Sequence, residues 1–301
     1  MLLIDIALFI AVVILTGIVY PVMGYRQSKK RGKTSSIREK SKWYLSSIIS
    51  GWIPALVIAT VLLLNGHTLK DTGFAFISPE IKGALFYIAL ALSAIYLIYN
   101  IYTIILLRFN KKIREQQSKE IPDEYRFILP TTKREKGLWR LLAVTAGVTE
   151  EFIYRGYLFF ALFLLFPGIH PIIVIAISSI IFSVGHLYQG REVWKPAAAG
   201  LFLSIVYFFI GSIYLVIVLH IIQDLVAGEL DPENSSDNLS VDKLSTITAS
   251  IAGPSEATES EEPGPTESAT VAIDTILSDS DNIESDPGNT TATANDQTES
   301  K

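Results

Sequence analysis

Apolar residues gather in long runs rather than in alternation, and the runs stop near residue 228. Those at 2–22, 44–64, 84–107, 171–187, 196–210 and 212–226 approach or reach the roughly 17–25 residues with which a helix crosses a bilayer. A further candidate, 138–166, is apolar apart from a charged island near its middle. In lipid every backbone N–H and C=O must be bonded within its own segment, so these runs predict helices. A membrane barrel would show alternating strands of about 10 residues, which the chain lacks. The expectation is an all-α, polytopic membrane helical bundle of about seven transmembrane helices. The pair 196–210 and 212–226 is short and separated by Gly211 alone, so it fits two tilted spans, a kinked segment or a partly buried hairpin.

Composition changes this picture at the C-terminal end. Half of the 301 residues are hydrophobic, yet residues 229–301 hold 17 Asp and Glu against Lys243 and Lys301. Residues 1–228 hold 23 Lys and Arg against 13 Asp and Glu, so a portion of charge +10 carries a tail of −15. A segment so acidic and so poor in apolar residues cannot offset its chain entropy and is expected to be disordered. Three regions follow: an N-terminal transmembrane hairpin over 1–64, a core over 65–228, and a disordered acidic tail over 229–301.

The first run lacks a basic leader and a small-x-small cleavage site, so it is expected to be an uncleaved anchor. Basic residues follow it (Arg26, Lys29, Lys30, Arg31, Lys33, Arg38) and follow the third run (Arg108, Lys111, Lys112, Arg114). By the positive-inside tendency both loops are cytoplasmic, with the N-terminus outside and Trp43, Trp139 and Trp194 at the cytoplasmic interface. The acidic tail then falls in the cytoplasm of a multi-pass cell-membrane protein. No cysteine is present, which excludes disulfides and thiol chemistry.

Three polar islands interrupt the apolar runs: Glu150-Glu151-Phe-Ile-Tyr-Arg155, Phe182-Ser-Val-Gly-His186 and His220-Ile-Ile-Gln-Asp224. An ionisable side chain at membrane depth costs at least ~2.5 kcal/mol, so three islands mark a working site by default. On a helix Glu151 and Arg155 share a face with the acid N-terminal, the better orientation for an ion pair. Arg155 is then expected to neutralise Glu151, while Glu150, about 100° around the helix, faces a polar cavity. Phe182 with His186, and His220 with Asp224, each lie one turn apart. His67 and His170 fall in loops and are treated as background.

Glu150, His186, His220 and Asp224 suit two chemistries. They are candidate ligands for Zn2+, whose bound water attacks an amide. Without metal, Glu150 and His186 would activate water, and His220 with Asp224 would stabilise the oxyanion. A bare carboxylate cannot donate to an oxyanion, so Asp224 would be protonated or would orient His220. The helical zincin motif is missing, and the Gly211-Ser212 pair lacks the flanking pattern of a serine nucleophile. Asp5 with Asp224 makes a poor aspartyl dyad, and no Gly-rich phosphate loop is present.

In this order the islands resemble the CPBP family of intramembrane proteases, also called the Abi family, which includes the type II CaaX prenyl endopeptidases. The pattern is Glu-Glu-x-x-x-Arg at Glu150, Glu151 and Arg155, Phe-x-x-x-His at Phe182 and His186, and His-x-x-x-Asn or Asp at His220 and Asp224. Roughly residues 65–228 carry the likeness. It implies an eight-helix-like bundle and peptide-bond hydrolysis at the cytoplasmic side. Glu150 would be the water-activating base, His186 its partner, and His220 with Asp224 the oxyanion or ligand group. Glu151, Arg155 and Phe182 would be structural or substrate-orienting. In the CaaX branch the third motif ends in Asn, from which Asp224 departs. The partners implied are the bilayer and a membrane-embedded or lipidated peptide or protein, such as a prenylated CaaX peptide; no nucleic acid is expected. Two non-proteolytic readings stand beside it: a membrane scaffold or bacteriocin-immunity protein, and a small ion transporter.

Overall fold

Lys133 opens the helix around which the others are arranged, and a capping box fixes its start. The Thr132 hydroxyl accepts from the Glu135 backbone N–H, and the buried Glu135 carboxylate accepts in turn from the Thr131 and Thr132 N–H groups. The computed structural model describes residues 2–30, 37–76, 83–121, 126 and 128–230. Among them are ten α-helices: α1 (Leu2–Ile14), α2 (Tyr20–Lys30), α3 (Ile37–Leu64), α4 (Ala84–Phe109), α5 (Lys111–Lys119), α6 (Lys133–Glu151), α7 (Leu158–Leu165), α8 (Pro171–Gly185), α9 (Trp194–Ile210) and α10 (Ile213–Gly228). The π-helical segment Leu15–Val19 joins α1 to α2, and the π-helical segment Phe152–Tyr157 joins α6 to α7. Two 3-10 segments, Leu69–Thr72 and Leu187–Val193, complete the described elements. No strand occurs among the described residues.

Helix α6 lies between α3 and α10, its most extensive neighbours, while α9 packs on α8 and α4 covers α9 and α10 from outside. The main core is aromatic and branched: Phe152, Tyr154, Leu158, Phe182, Leu203, Tyr207, Ile213 and Leu219. On α4 the large apolar residues Leu85, Ile88, Ile95 and Ile98 are exposed instead. A helix that is apolar on its outward face as well suits lipid rather than water. Four helical stretches are long and apolar enough to cross a membrane: Leu2–Gln27, Glu39–Leu64, Ala84–Phe109 and Leu187–Ile210. Pro171–Gly185 and Ile213–Gly228 are apolar but shorter. The expected count of about seven is thus not reached by length and composition, because the remaining segments are short or interrupted by charge.

Of the readings left open for 196–226, the single kinked segment is not observed: the stretch folds as two helices joined by a tight turn. Gly211 ends α9 at φ 71, a left-handed conformation that a side chain would strain, and α10 begins two residues later. Gly200 and Ser204 on α9, and His220 on α10, all reach the Glu151–Arg155 pair. They lie at similar distances either side of the turn, so the two helices run antiparallel.

Trp139 is buried among the helices. It is 7% exposed, packs edge-on against Tyr44 at 6.0 Å, and donates from Nε1 to the Asp224 carbonyl at 2.8 Å. The indole N–H has found a buried acceptor, which holds the lower part of α10 against α6. Trp194, by contrast, is exposed. At the opposite end of the bundle Asp5 is buried and accepts from Asn65 Nδ2 at 2.5 Å, with His67 Nε2 3.3 Å away. His170 is used locally, its Nδ1 accepting from the Ile172 N–H at the start of α8. The acidic tail, apart from Glu229 and Leu230, and part of the first basic loop lie outside the described residues.

Candidate active site

Arg155 is the anchor. It is fully buried on the π-helical turn after α6, and each side of its guanidinium is occupied. Nη1 donates to Glu151 Oε1 at 2.7 Å, Nη2 to the Gly200 carbonyl at 2.9 Å, and Nε to Ser204 Oγ at 3.3 Å. The Phe182 ring covers the cation, 4.5 Å from Cζ. The close approach of α9 requires Gly200 to have no side chain: a Cβ there would stand 2.7 Å from the Phe182 ring. Three elements are thereby tied to one cation, which offsets the cost of burying Glu151.

Glu151 also receives His220. Its Oε1 lies 2.6 Å from His220 Nδ1. A carboxylate already paired with a guanidinium can only accept, so the Nδ1 proton belongs to His220, and the imidazole Nε2 faces the other way. Nε2 stands 3.7 Å from Asp224 Oδ2, too far for a direct hydrogen bond. Asp224 is itself placed through its backbone carbonyl by Trp139.

His186 caps the C-terminus of α8. Its Nδ1 lies 2.8 Å from the Phe182 carbonyl, which can only accept, so Nδ1 again carries the proton. The Phe182 and His186 rings lie 4.5 Å apart. His186 Nε2 is thereby aimed at Glu150, 3.9 Å from Oε2. That oxygen is buried and has no hydrogen-bond partner among the described residues. Glu150 and Glu151, adjacent in sequence, are thus held differently: Glu151 is fixed through Oε1 by Arg155 and His220, with its Oε2 also unpartnered among the described residues, whereas Glu150 is held by no hydrogen bond among them and faces His186.

Glu150, His186, His220 and Asp224 line one cavity of about 330 Å³. The wall is completed by α6 through residues such as Thr145 and Thr149, by α2 and α3 through residues such as Tyr20, Ser50 and Gly51, and by Tyr154 and Tyr188. These residues lie outside the motifs or between them, and the sequence reading missed them. Only the small and hydroxylic face Ser46, Ser47, Ser50, Gly51 on a membrane helix hinted that something other than lipid faces it. Gln27, Trp43, Ile128 and Gln189 line the same cavity, so it reaches the end of the bundle next to the basic segments.

Zinc chemistry requires at least three protein ligands near 2 Å from one point. Among the described residues no three His, Asp or Glu side chains are grouped to hold a metal ion. The four residues instead form two pairs, Glu150 with His186 and His220 with Asp224. As they are placed, the described residues do not form a three-ligand set for zinc.

An apolar helical bundle with four stretches long enough to cross a membrane encloses a glutamate–histidine pair and a buried arginine, the architecture of a multi-pass membrane protein with a polar interior site. Residues 135–226 match the family model described as type II CAAX prenyl endopeptidase Rce1-like. This segment contains all seven motif residues, and the match agrees with the likeness to CPBP proteases, over a narrower stretch than 65–228. No curated protein and no solved structure matches the chain.

Proposed function

We propose that this protein is an intramembrane endopeptidase that hydrolyses a peptide bond of a membrane-associated peptide or protein by Glu150- and His186-activated water. The single observation that carries this reading is the Glu150–His186 pair. Two acceptors, Oε2 and Nε2, face each other 3.9 Å apart, and Oε2 has no protein partner. A water oxygen at the usual separation of about 2.8 Å from each would subtend about 90° between them, near the angle between its own two O–H bonds. The gap therefore suits one water that donates to both groups.

In the first step Glu150 takes a proton from this water, and the oxygen adds to the carbonyl carbon of the scissile bond. The carbonyl electron pair moves onto its oxygen. On collapse the pair returns, the C–N bond breaks, and the leaving amine receives the proton held by Glu150. His186 keeps the attacking oxygen in line, with its tautomer fixed by the Phe182 carbonyl. His220 and Asp224 flank the cavity beside the reacting carbonyl. Glu151 and Arg155 set the position of His220 and of the α9 turn, and do not touch substrate. Because the cavity reaches the end bearing the basic segments, the bond is cut toward the cytoplasmic side, with the N-terminus outside. The family match makes a prenylated CaaX-type peptide the first substrate class to try.

The test is mass-spectrometric mapping of new peptide termini in membranes containing wild type or Glu150→Ala at matched protein levels. Termini that need Glu150 are expected. Identical maps would reject the hydrolytic reading in favour of a scaffold or immunity role.

A further inference from the structure

Helix α10 carries two of the four motif residues that line the cavity, and they are held differently. His220 is fixed by its own side chain, through Nδ1 and Glu151. Asp224 Oδ2 stands 3.7 Å from His220 Nε2, beyond hydrogen-bond range, so the direction of this carboxylate follows from how α10 is rotated about its axis. A turn of about 20° carries atoms ~5 Å from a helix axis through about 2 Å, enough to spoil their alignment with a reacting group. What fixes that rotation therefore matters to the chemistry.

One flank of α10 is pinned to α6. Trp139 donates to the Asp224 carbonyl and its ring fills the space that a side chain at Gly228 would need, while Gly147 lets the Ile221 side chain rest on the α6 backbone. Gln223 projects about 160° around the helix from Ile221, and His220 and Asp224 fall in the arc between them. This second flank meets α4, where the Tyr96 hydroxyl donates to Gln223 Oε1. The outer face of α4 is built for lipid, with Leu85, Ile88, Ile95 and Ile98 exposed. Its buried polar residues Ser93 and Asn100 spend their donors inside α4, on the Ala89 and Tyr96 carbonyls. Tyr96 instead reaches across to α10, with its ring 4.8 Å from that of Phe202 on α9. Side-chain hydrogen bonds of this kind act as glue between helices in a membrane. Neither Tyr96 nor Gln223 lines the cavity.

We propose that Tyr96, acting through Gln223, is a positioning residue for the hydrolytic site. It sets the rotation of α10 from the flank that Trp139 leaves open, and so aims His220 Nε2 and the Asp224 carboxylate into the cavity. The proposal rests on the hydrolytic reading above. Tyr96 touches neither substrate nor reacting atoms, and α4 lies outside the matched segment 135–226. The apparatus that supports catalysis thus extends to a helix whose other face is given to lipid.

The experiment measures kcat and KM, in membranes, on a reporter peptide spanning a Glu150-dependent cleavage point. Tyr96→Phe keeps the ring beside Phe202 and removes the hydroxyl. Its kcat is expected to fall about tenfold or more at nearly constant KM, since a misplacement of ~1 Å costs up to about 10²-fold. Gln223→Met removes the acceptor instead and should give the same loss. The double variant should lose no more than either single one, because both break one contact. Ser93→Ala deletes a neighbouring bond that stays within α4 and should leave kcat unchanged, whereas a general loosening of α4 would lower it in both variants. A Tyr96→Phe kcat within about threefold of wild type would overturn the proposal, as would a loss confined to KM. Losses that multiply in the double variant, or an equal loss in Ser93→Ala, would overturn it too. Should no terminus depend on Glu150, the hydrolytic reading falls first and takes this inference with it, a result distinct from Glu150-dependent cleavage that Tyr96→Phe leaves at the wild-type rate.

Discussion

Replacing Arg155 with methionine isolates the electrostatic contribution of the buried anchor, because methionine keeps much of the volume and removes the charge. Arg155 and Glu151 are both fully buried. Loss of the guanidinium leaves Glu151 with an uncompensated negative charge and removes the donors to the Gly200 carbonyl and Ser204 Oγ. Removing one partner of a buried ion pair costs about 3–5 kcal/mol, and the lost bonds to the Gly200 carbonyl and Ser204 Oγ about 0.5–1.5 kcal/mol each. The two overlap and do not simply add. A working value of about 4 kcal/mol is a large share of the 5–15 kcal/mol by which proteins are typically stable, and corresponds to a fall on the order of 10 °C in unfolding midpoint. Intrinsic fluorescence of the purified protein in detergent is the natural assay, since the chain has four tryptophans and no cysteine for a thiol dye. The decisive comparison is with Glu151→Leu/Arg155→Met. Removing both charges leaves no unpaired ion, so the double variant should be more stable than Arg155→Met alone. It should not regain the wild-type midpoint, because His220 Nδ1 loses its acceptor. An Arg155→Met midpoint equal to wild type, or a double variant less stable than the single one, would refute the reasoning.

Glu150→Gln should abolish turnover while changing stability by less than about 1 kcal/mol, since Oε2 has no partner to lose; a large drop in midpoint would show a structural role instead. Trp139→Phe removes the indole bond to the Asp224 carbonyl, which keeps its bond within α10, and should cost about 0.5–1.5 kcal/mol, with a fall in turnover as Asp224 loses its seat. Gly200→Val drives a side chain into Phe182 and should cost about 1–3 kcal/mol; activity should fall too, because the Phe182 carbonyl orients His186, and an unperturbed variant would mean that α9 is free to back away. Treatment of the purified protein with a metal chelator should leave turnover unchanged, and inactivation reversed by added zinc would overturn the metal-free route.

Local pattern carried a good deal of this protein. Run length predicts a helical membrane bundle because a lipid environment leaves the backbone no other economical choice, and four helices long and apolar enough to cross are found. The spacing of four residues places Glu151 by Arg155, Phe182 by His186 and His220 by Asp224, because side chains one turn apart on a helix face the same way whatever surrounds them. Composition could not fix the number of crossings, since the helix bearing the glutamates is interrupted by the charges that make it interesting. Nor could spacing decide which helical faces meet. That Glu150 is aimed at His186, that His220 spends its proton on Glu151, and that Gly200 and Ser204 close over Arg155 depend on the antiparallel turn at Gly211 and on how α9 and α10 pack against α6. Nothing in the sequence shows that Trp139 is a buried donor to the Asp224 carbonyl on α10. Helix-local geometry is written in the order of residues, whereas the choice of partner across helices is a packing solution of the whole bundle.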